Sequence, residues 1–365
     1  MKKNQTRTLA LENLEDRLAP AINAFVSPSG LLSIRGFSST GLLLLGTTAN
    51  PGEISISDGS NTTTSTGVQS INVALSGSPT FQFVTLDLTT IPNVINGNVS
   101  IDAGTAPNNI IIIQGVPDNT LDIMGNVTLS RATAISLSGD VAGNVTMTNA
   151  AYPSLTNLYG LTGRTLGNLT ITGSIYSDGV SLTNSNVSGS ARINLGPAGF
   201  PLTTNSATLD SGTIVQGSLT IAGGAGTNSV ALAGTVNGFA TITLGNGQNT
   251  IDFPAPAQVG KSLSISLGRG IVAGNSIGIG GTSFDGTVNG NLTISTAGGL
   301  NQIALGATVH GAQTTIAMGR GNNTLQFVTG LDITSGRMLV NMIRGGTNVF
   351  DPNGVAVTWP FRIYF

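Results

Sequence analysis

The sequence predicts an all-β fold, a right-handed parallel β-helix (β-solenoid) built from coils of about 21–26 residues. Three observations carry that prediction. A glycine, often in a Gly-Asn pair, opens an alternating apolar segment, and eleven or twelve residues later an asparagine opens a second one. The unit recurs as Gly217/Asn228, Gly238/Asn249, Gly290/Asn301, Gly311/Asn323 and Gly336/Asn348. Within the second segments the asparagine shares parity with apolar residues, as in Asn228/Val230/Leu232, Asn249/Ile251/Phe253, Asn275/Ile277/Ile279, Asn301/Ile303/Leu305 and Asn323/Leu325/Phe327. Residues two apart on a strand face the same way, so each asparagine is expected to point inward with the core. Finally, the 365 residues include 51 glycines but only 14 Lys and Arg and 16 Asp and Glu, a composition suited to short strands and tight turns rather than long helices.

In chain order, residues 1–20 stand apart. Lys2, Lys3, Arg7, Glu12, Glu15, Asp16 and Arg17 concentrate charge there, before the composition turns to the uncharged repeat. The head begins basic but lacks the apolar stretch of roughly 7–15 residues that a secretory signal peptide needs. Leu11-Glu12-Asn13-Leu14-Glu15-Asp16-Arg17-Leu18-Ala19-Pro20 resembles the short Leu-Glu-x-Leu-Glu-Asp-Arg-x-x-Pro motif at the start of large, repetitive exported proteins of planctomycete-type bacteria. Leu11, Glu12, Leu14, Glu15, Asp16, Arg17 and Pro20 fall on its positions. The resemblance implies an export or sorting role for this segment and a secreted or cell-surface destination; it implies no chemistry. A competing reading makes it a short amphipathic helix, with Leu11, Leu14 and Leu18 on one side, that caps the first coil.

Residues 21–95 are the least regular and read as divergent first coils or an N-terminal cap, with Leu31–Ser38 and Glu53–Asp58 as candidate strands. Residues 96–350 form the solenoid repeats. Gly97-Asn98-Val99, Gly125-Asn126-Val127, Gly143-Asn144-Val145 and Gly167-Asn168-Leu169 keep the first half of the repeat, while the second half is clear in these early copies only at Asn108 or Asn109. In Gly290-Asn291-Leu292-Thr293-Ile294 the alternation sends Leu292 and Ile294 inward and Asn291 and Thr293 outward, and Gly298 and Gly299 then permit a corner at positive φ. Coils stacked about 4.8 Å apart bring like residues over one another. Asn228, Asn249, Asn275, Asn301, Asn323 and Asn348 are therefore expected to form a structural asparagine ladder. Residues 351–365, including Trp359, Phe361, Ile363 and Phe365 at alternate positions, read as a C-terminal cap. Their pattern also resembles the closing strand of an outer-membrane barrel, but the short, glycine-rich body does not fit the roughly ten-residue strands a barrel needs.

The sequence offers little chemistry. There is no cysteine and the formal net charge is -2, so disulfides, thiolate metal sites and a basic nucleic-acid footprint are excluded. The longest apolar runs, Leu42–Leu45 and Ile110–Ile113, fall far short of the roughly 20 residues of a transmembrane helix. Gly245–Ile251 and Gly319–Leu325 resemble the calcium-binding nonapeptide of toxin-type β-rolls, but asparagine replaces the aspartate, which points to a metal-free turn with Asp102, Asp252 and Asp351 merely nearby. After residue 20 only Glu53 and twelve aspartates supply carboxylates, Lys261 is the only lysine and His310 the only histidine, too sparse for the paired groups of polysaccharide lyases and hydrolases. Arg269 and Arg320 sit in Gly-Arg-Gly turns that read as solvated. The Asn-x-Ser/Thr sequons at Asn98, Asn126, Asn144, Asn168 and Asn291 follow from the strand-start pattern. The expectation is a non-enzymatic structural or adhesive surface protein without cofactors, partnered by cell-surface glycans or other surface proteins. The alternatives are a carbohydrate-active β-helix enzyme and a calcium-stabilised β-roll.

Overall fold

The computed structural model describes residues 22–364 apart from 37–39, 77–80, 91–93, 107, 117–119, 150–155, 197–203, 279–283, 334–335, 344 and 354–360. The export-type motif, Ile279, Ser38, Trp359 and Phe365 therefore lie outside the described residues. Those described are all β, without an α-helix, and no helix is long and apolar enough to cross a membrane. They form a β-solenoid of stacked parallel coils.

Each full coil has three faces. The first is a 15-stranded sheet running from Asn23–Val26 to Phe361–Tyr364. Its pairings are parallel except the first, where Asn23–Val26 runs antiparallel to Leu31–Gly36 and covers that edge. The second face stacks the strands that asparagines open, for example Gly226–Leu232 on Gly247–Asp252, with Asn228 opposite Asn249. The third face consists of two-residue strands such as Thr235–Val236 and Gln258–Val259. In two coils the second and third faces are one bent strand: Thr156–Thr165 pairs with Ser177–Val187 around a bulge at Thr162/Gly163. Asn184 takes the extra position at φ 45° and Gly163 turns at φ 113°, so the chain rounds the corner without losing its ladder. Near the start, Ile54–Ser57 and Thr62–Ser65 form an antiparallel hairpin against Leu42–Thr47. That hairpin departs from the coil pattern at the candidate strand Glu53–Asp58.

Alternation fills the tube. Ile171, Ile193, Ile221, Ile242, Ile265, Ile294 and Ile316 stack in register on the first face, each at most 1% exposed. Branched side chains suit the pleated surface, and identical neighbours nest without voids. The third face adds one residue per coil: Ile95, Ile123, Val141, Thr165, Val187 and Val215 follow one another, then Val236, Val259, Val288 and Val309.

Among the described residues threonines interrupt this apolar lining, Thr296 between Leu267 and Met318 among them. Thr165 lies between Val141 and Val187, and Thr314 between Leu292 and Met338. Both are fully buried, and neither hydroxyl has a hydrogen-bond partner. A buried hydroxyl without a partner costs about 1–3 kcal/mol, and valine has nearly the same shape. Thr165→Val and Thr314→Val should each stabilise the protein by about 1 kcal/mol, seen as a higher denaturant midpoint at unchanged slope.

Candidate functional site

The corner between the first and second faces is held by a buried ladder of amides. Asn205 Nδ2 donates to Asn228 Oδ1 at 3.0 Å. The chain continues from Asn228 to Asn249 and from Asn249 to Asn275 at 2.8 Å, to Asn301 at 2.7 Å, and to Asn323 and Asn348 at 2.8 Å each. The second Nδ2 hydrogen closes the corner beside it: Asn228 donates to Gly224 O, Asn249 to Gly245 O, Asn275 to Gly268 O, Asn301 to Ala297 O and Asn323 to Gly319 O, at 2.9–3.1 Å. From Asn205 to Asn323 these residues are at most 1% exposed. The geometry makes them structural, because every amide atom is used and a ligand has no access to them.

The register carries this column further down than the sequence revealed. Asp178 and Asn157 occupy the same position, paired with one another, and Asn109 and Gln82 lie below. Asn109 Nδ2 donates to Ala103 O at 2.8 Å, while its Oδ1 accepts from Gln82 N at 2.9 Å. Asn108, the other candidate, instead takes a turn position at φ 63°.

Asp178 is thus a carboxyl in an asparagine's place, 1% exposed. Asn157 Nδ2 donates to its Oδ1 at 3.1 Å, and the backbone N–H of Ser174 reaches both of its oxygens. Burial pushes its pKa up to about 7, the hydrogen bonds from Asn157 and Ser174 opposing the rise. Burial, and secondarily the Asp178 charge, raise the neighbouring Tyr159 phenol, whose hydroxyl donates to Thr172 O. Between pH ~4 and about 7 the native state therefore holds a proton that the unfolded chain, at its ordinary 3.8, has lost. Its stabilising contribution is complete below pH ~4 and disappears as pH rises through about 7. Asp178→Asn should remove this dependence and raise stability at pH 8 by up to ~4 kcal/mol, at ~1.4 kcal/mol per pH unit. Urea melts at pH 5 and pH 8 test it.

A second ladder runs outside. Asn126 N donates to Asn98 Oδ1, Asn144 N to Asn126 Oδ1, Asn168 N to Asn144 Oδ1 and Ser190 N to Asn168 Oδ1, each at 2.8 Å. Ser190, Ser218 and Ser262 serve as acceptors further up. Here the upper coil donates to the lower, whereas inside the lower coil donates to the upper. Beside this ladder the strand-opening glycines stack: Gly167 N donates to Gly143 O, Gly189 N to Gly167 O and Gly217 N to Gly189 O at 2.9–3.1 Å.

The calcium-like turns spend their oxygens in the same way. Asn246 Oδ1 accepts from Arg269 N at 2.7 Å and Asn322 Oδ1 from Thr347 N at 3.0 Å, while Gly245 O and Gly319 O accept from Asn249 and Asn323. With those oxygens held by N–H donors, excess chelator should leave the melting temperature unchanged; a fall of several degrees would argue for bound calcium.

Charged groups are placed singly or in pairs. Asp102 is bound by Arg131, and Asp140 faces Arg164 at 3.3 Å. Asp210 accepts from Asn184 N and the Thr213 hydroxyl, and Glu53 from Asn50. Asp351 accepts from Asn353 N, and Asp252 stands half-buried on the strand below the Asn275 coil. Arg269 and Arg320 are exposed in one corner column, two coils apart with Gly298 between; His310 is exposed at the end of Thr308–Val309. Lys261 Nζ stands 4.9 Å over the Phe239 ring. Among the described residues no three of His, Asp and Glu converge as metal ligands.

The surface with most regularity is the outer side of the first sheet. Two columns of outward residues run up it in register. One contains Thr128, Thr146, Thr170, Arg192, Thr220, Thr241, Ser264, Thr293 and Thr315; the other contains Ser130, Thr148, Thr172, Asn194, Ala222, Thr243, Ser266, Ser295 and Ala317. Asp102 and Arg131 mark the foot, and above Arg192 five successive coils present only Thr, Ser or Ala in both columns. Outward threonines and serines that make flat polar arrays are already expected from the strand alternation in the sequence; because coil lengths vary, only the pairing register shows that they align into two columns. No family model, curated protein or solved structure matches the chain.

Proposed function

We propose that the chain is a non-enzymatic structural or adhesive β-solenoid of the cell surface or secreted space, and that the outer side of the first sheet is its binding face. The observation that carries this reading is the double column of small hydroxyl residues, which presents a broad, uncharged polar surface on a rigid support. A repeated surface of this kind engages another surface by many weak equivalent contacts, the logic of multivalent adhesion. The engagement of Asp102, Asp140 and Asp210 in ion pairs or turn bonds supports a scaffold role for the carboxylates. The N-terminal motif supports the surface destination, with cell-surface glycans or surface proteins as partners.

The test is co-sedimentation of the full chain with insoluble polysaccharides and whole cells, alongside an assay for released sugar ends. Retention without product release, weakened by Thr293→Arg on the face, is the expected result. Release of oligosaccharides would overturn the reading in favour of a carbohydrate-active enzyme.

A further inference from the structure

The outer side of the second face changes character along the tube. Leu42, Phe83, Ile110, Ala134 and Leu158 follow one another in register on successive coils, all pointing outward, and Leu158 is 57% exposed. Above Gly179 the same column turns polar, with Ser206, Ser229, Thr250 and Ser276. Two residues along each strand a second column reads Leu44, Thr85, Ile112, Ser136 and Gly160. Phe81, 42% exposed, widens the patch beside Phe83, their ring centroids 6.2 Å apart. Ser57 bounds it below Leu44. An apolar area with a polar rim marks an interaction site.

Two glycines on this side have no reason within the chain. Among the described residues a Cβ on Gly160 would meet only the Ser136 hydroxyl, at 3.8 Å, and one on Gly46 would meet nothing within 4 Å. Neither has a positive φ, whereas Gly167 and Gly217 are wedged against backbone. The hollows fit the patch itself. A second copy turned by 180° about an axis along Ile110–Gln114 brings the coils together in opposite order. Ile110 and Ile112 then meet their own counterparts, Ala134 lies opposite Phe83, Gly160 opposite Leu44 and Leu158 opposite Leu42, so that small residues receive large ones. Gly46 receives Thr162, and Asp87 faces Ser138 instead of another charge. With the coils in the same order Phe83 would face Asp87, burying a carboxylate against a ring. Five coils at ~4.8 Å and five residues at ~3.3 Å give each copy a flat area of about 400 Å². With the polar rim added on both copies, the contact reaches the ~1,000 Å² total of a specific interface. We infer that a second copy of this chain covers the patch, in a two-fold dimer packed second face on second face. The first sheets of both copies stay uncovered, so the inference stands apart from the reading of that sheet as a binding face.

The test is sedimentation velocity of the full chain over a concentration series, with Gly160→Val and Ile112→Lys in the patch and Ser229→Lys on the polar part of the same face. Valine suits a strand better than glycine, so Gly160→Val should melt no lower than the native chain while filling the hollow that Leu44 needs. Ile112→Lys sets two like charges against each other at the axis. The expected result is a dimer for the native chain and Ser229→Lys, with the dissociation constant raised at least ~10-fold in both patch variants. A native chain that is monomeric throughout overturns the proposal, as does a dimer undiminished in both patch variants. Species larger than two copies that grow with concentration overturn the two-fold arrangement. A monomeric chain that floats with phosphatidylcholine vesicles, with flotation lost in Ile112→Lys, overturns the second copy in favour of a lipid surface.

Discussion

Asn275→Asp should be among the most damaging single-atom-scale changes in this protein, lowering stability at pH 8 by about 3–5 kcal/mol. Asn275 accepts from Asn249 and donates to both Asn301 Oδ1 and Gly268 O, at 2.7–2.9 Å. An aspartate keeps the first bond but turns an oxygen toward two acceptors, with the charge at a position 1% exposed. Protonation restores one of the two lost donors, so part of the loss should return near pH 4. The measurement is urea unfolding of native and variant chains at both pH values, and equal midpoints at pH 8 would refute the account. The contrast with Asp178 is instructive. There the carboxyl receives the Ser174 N–H on both oxygens, a compensation that no corner group provides at Asn275.

Gly217→Ala should cost about 3–5 kcal/mol, the range for overpacking combined with broken hydrogen bonds. A Cβ on Gly217 would stand 2.6 Å from Gly189 O and 2.7 Å from its carbonyl carbon. Backbone cannot yield as a flexible side chain does, so the coil must lift, stretching the 2.9 Å bond from Gly217 N to Gly189 O. The same obstruction recurs at Gly167, where a Cβ would stand 2.6 Å from Gly143 O. Lys261 stands in this column with a side chain, directly after Gly260, as Ala312 does further up, so Lys261→Ala serves as a control expected to change stability by less than ~1 kcal/mol. A Gly217→Ala melt indistinguishable from that of Lys261→Ala would dismiss close coil approach as the reason for these glycines.

Much of the architecture was legible because parity survives any coil length. Asn228, Asn249 and Asn301 announce their inward direction by sharing it with Val230, Ile251 and Ile303. Asn205 has the same parity with Ala207 and Leu209, but sixteen residues separate it from Gly189, which hides it from a search at fixed spacing. Asp178 was hidden by chemistry, since an aspartate at a strand start reads as a solvated turn residue. The need for Gly217 was hidden by distance, because its obstruction comes from Gly189, a full coil away. The outward threonines and serines were legible as polar arrays, but not their alignment: Asn98, Asn126, Asn144 and Asn168 are separated by 28, 18 and 24 residues, and only strand pairing turns such uneven steps into straight rows. The hairpin at Ile54–Ser65 was missed as a hairpin, for its strands alternate like those of the coils.

The opposed directions of the two asparagine ladders bear on the electrical character of the whole rod. Inside, each amide points its nitrogen toward the C-terminal end, as in the step from Asn249 to Asn275; outside, each points its oxygen that way, as in the step from Asn126 to Asn144. Aligned peptide-like dipoles add along an axis as they do in a helix, and two columns of opposite sense subtract. The inner row spans Asn205 to Asn348 and the outer asparagine row Asn98 to Asn168, so the two tie together different coils while their amide dipoles oppose one another.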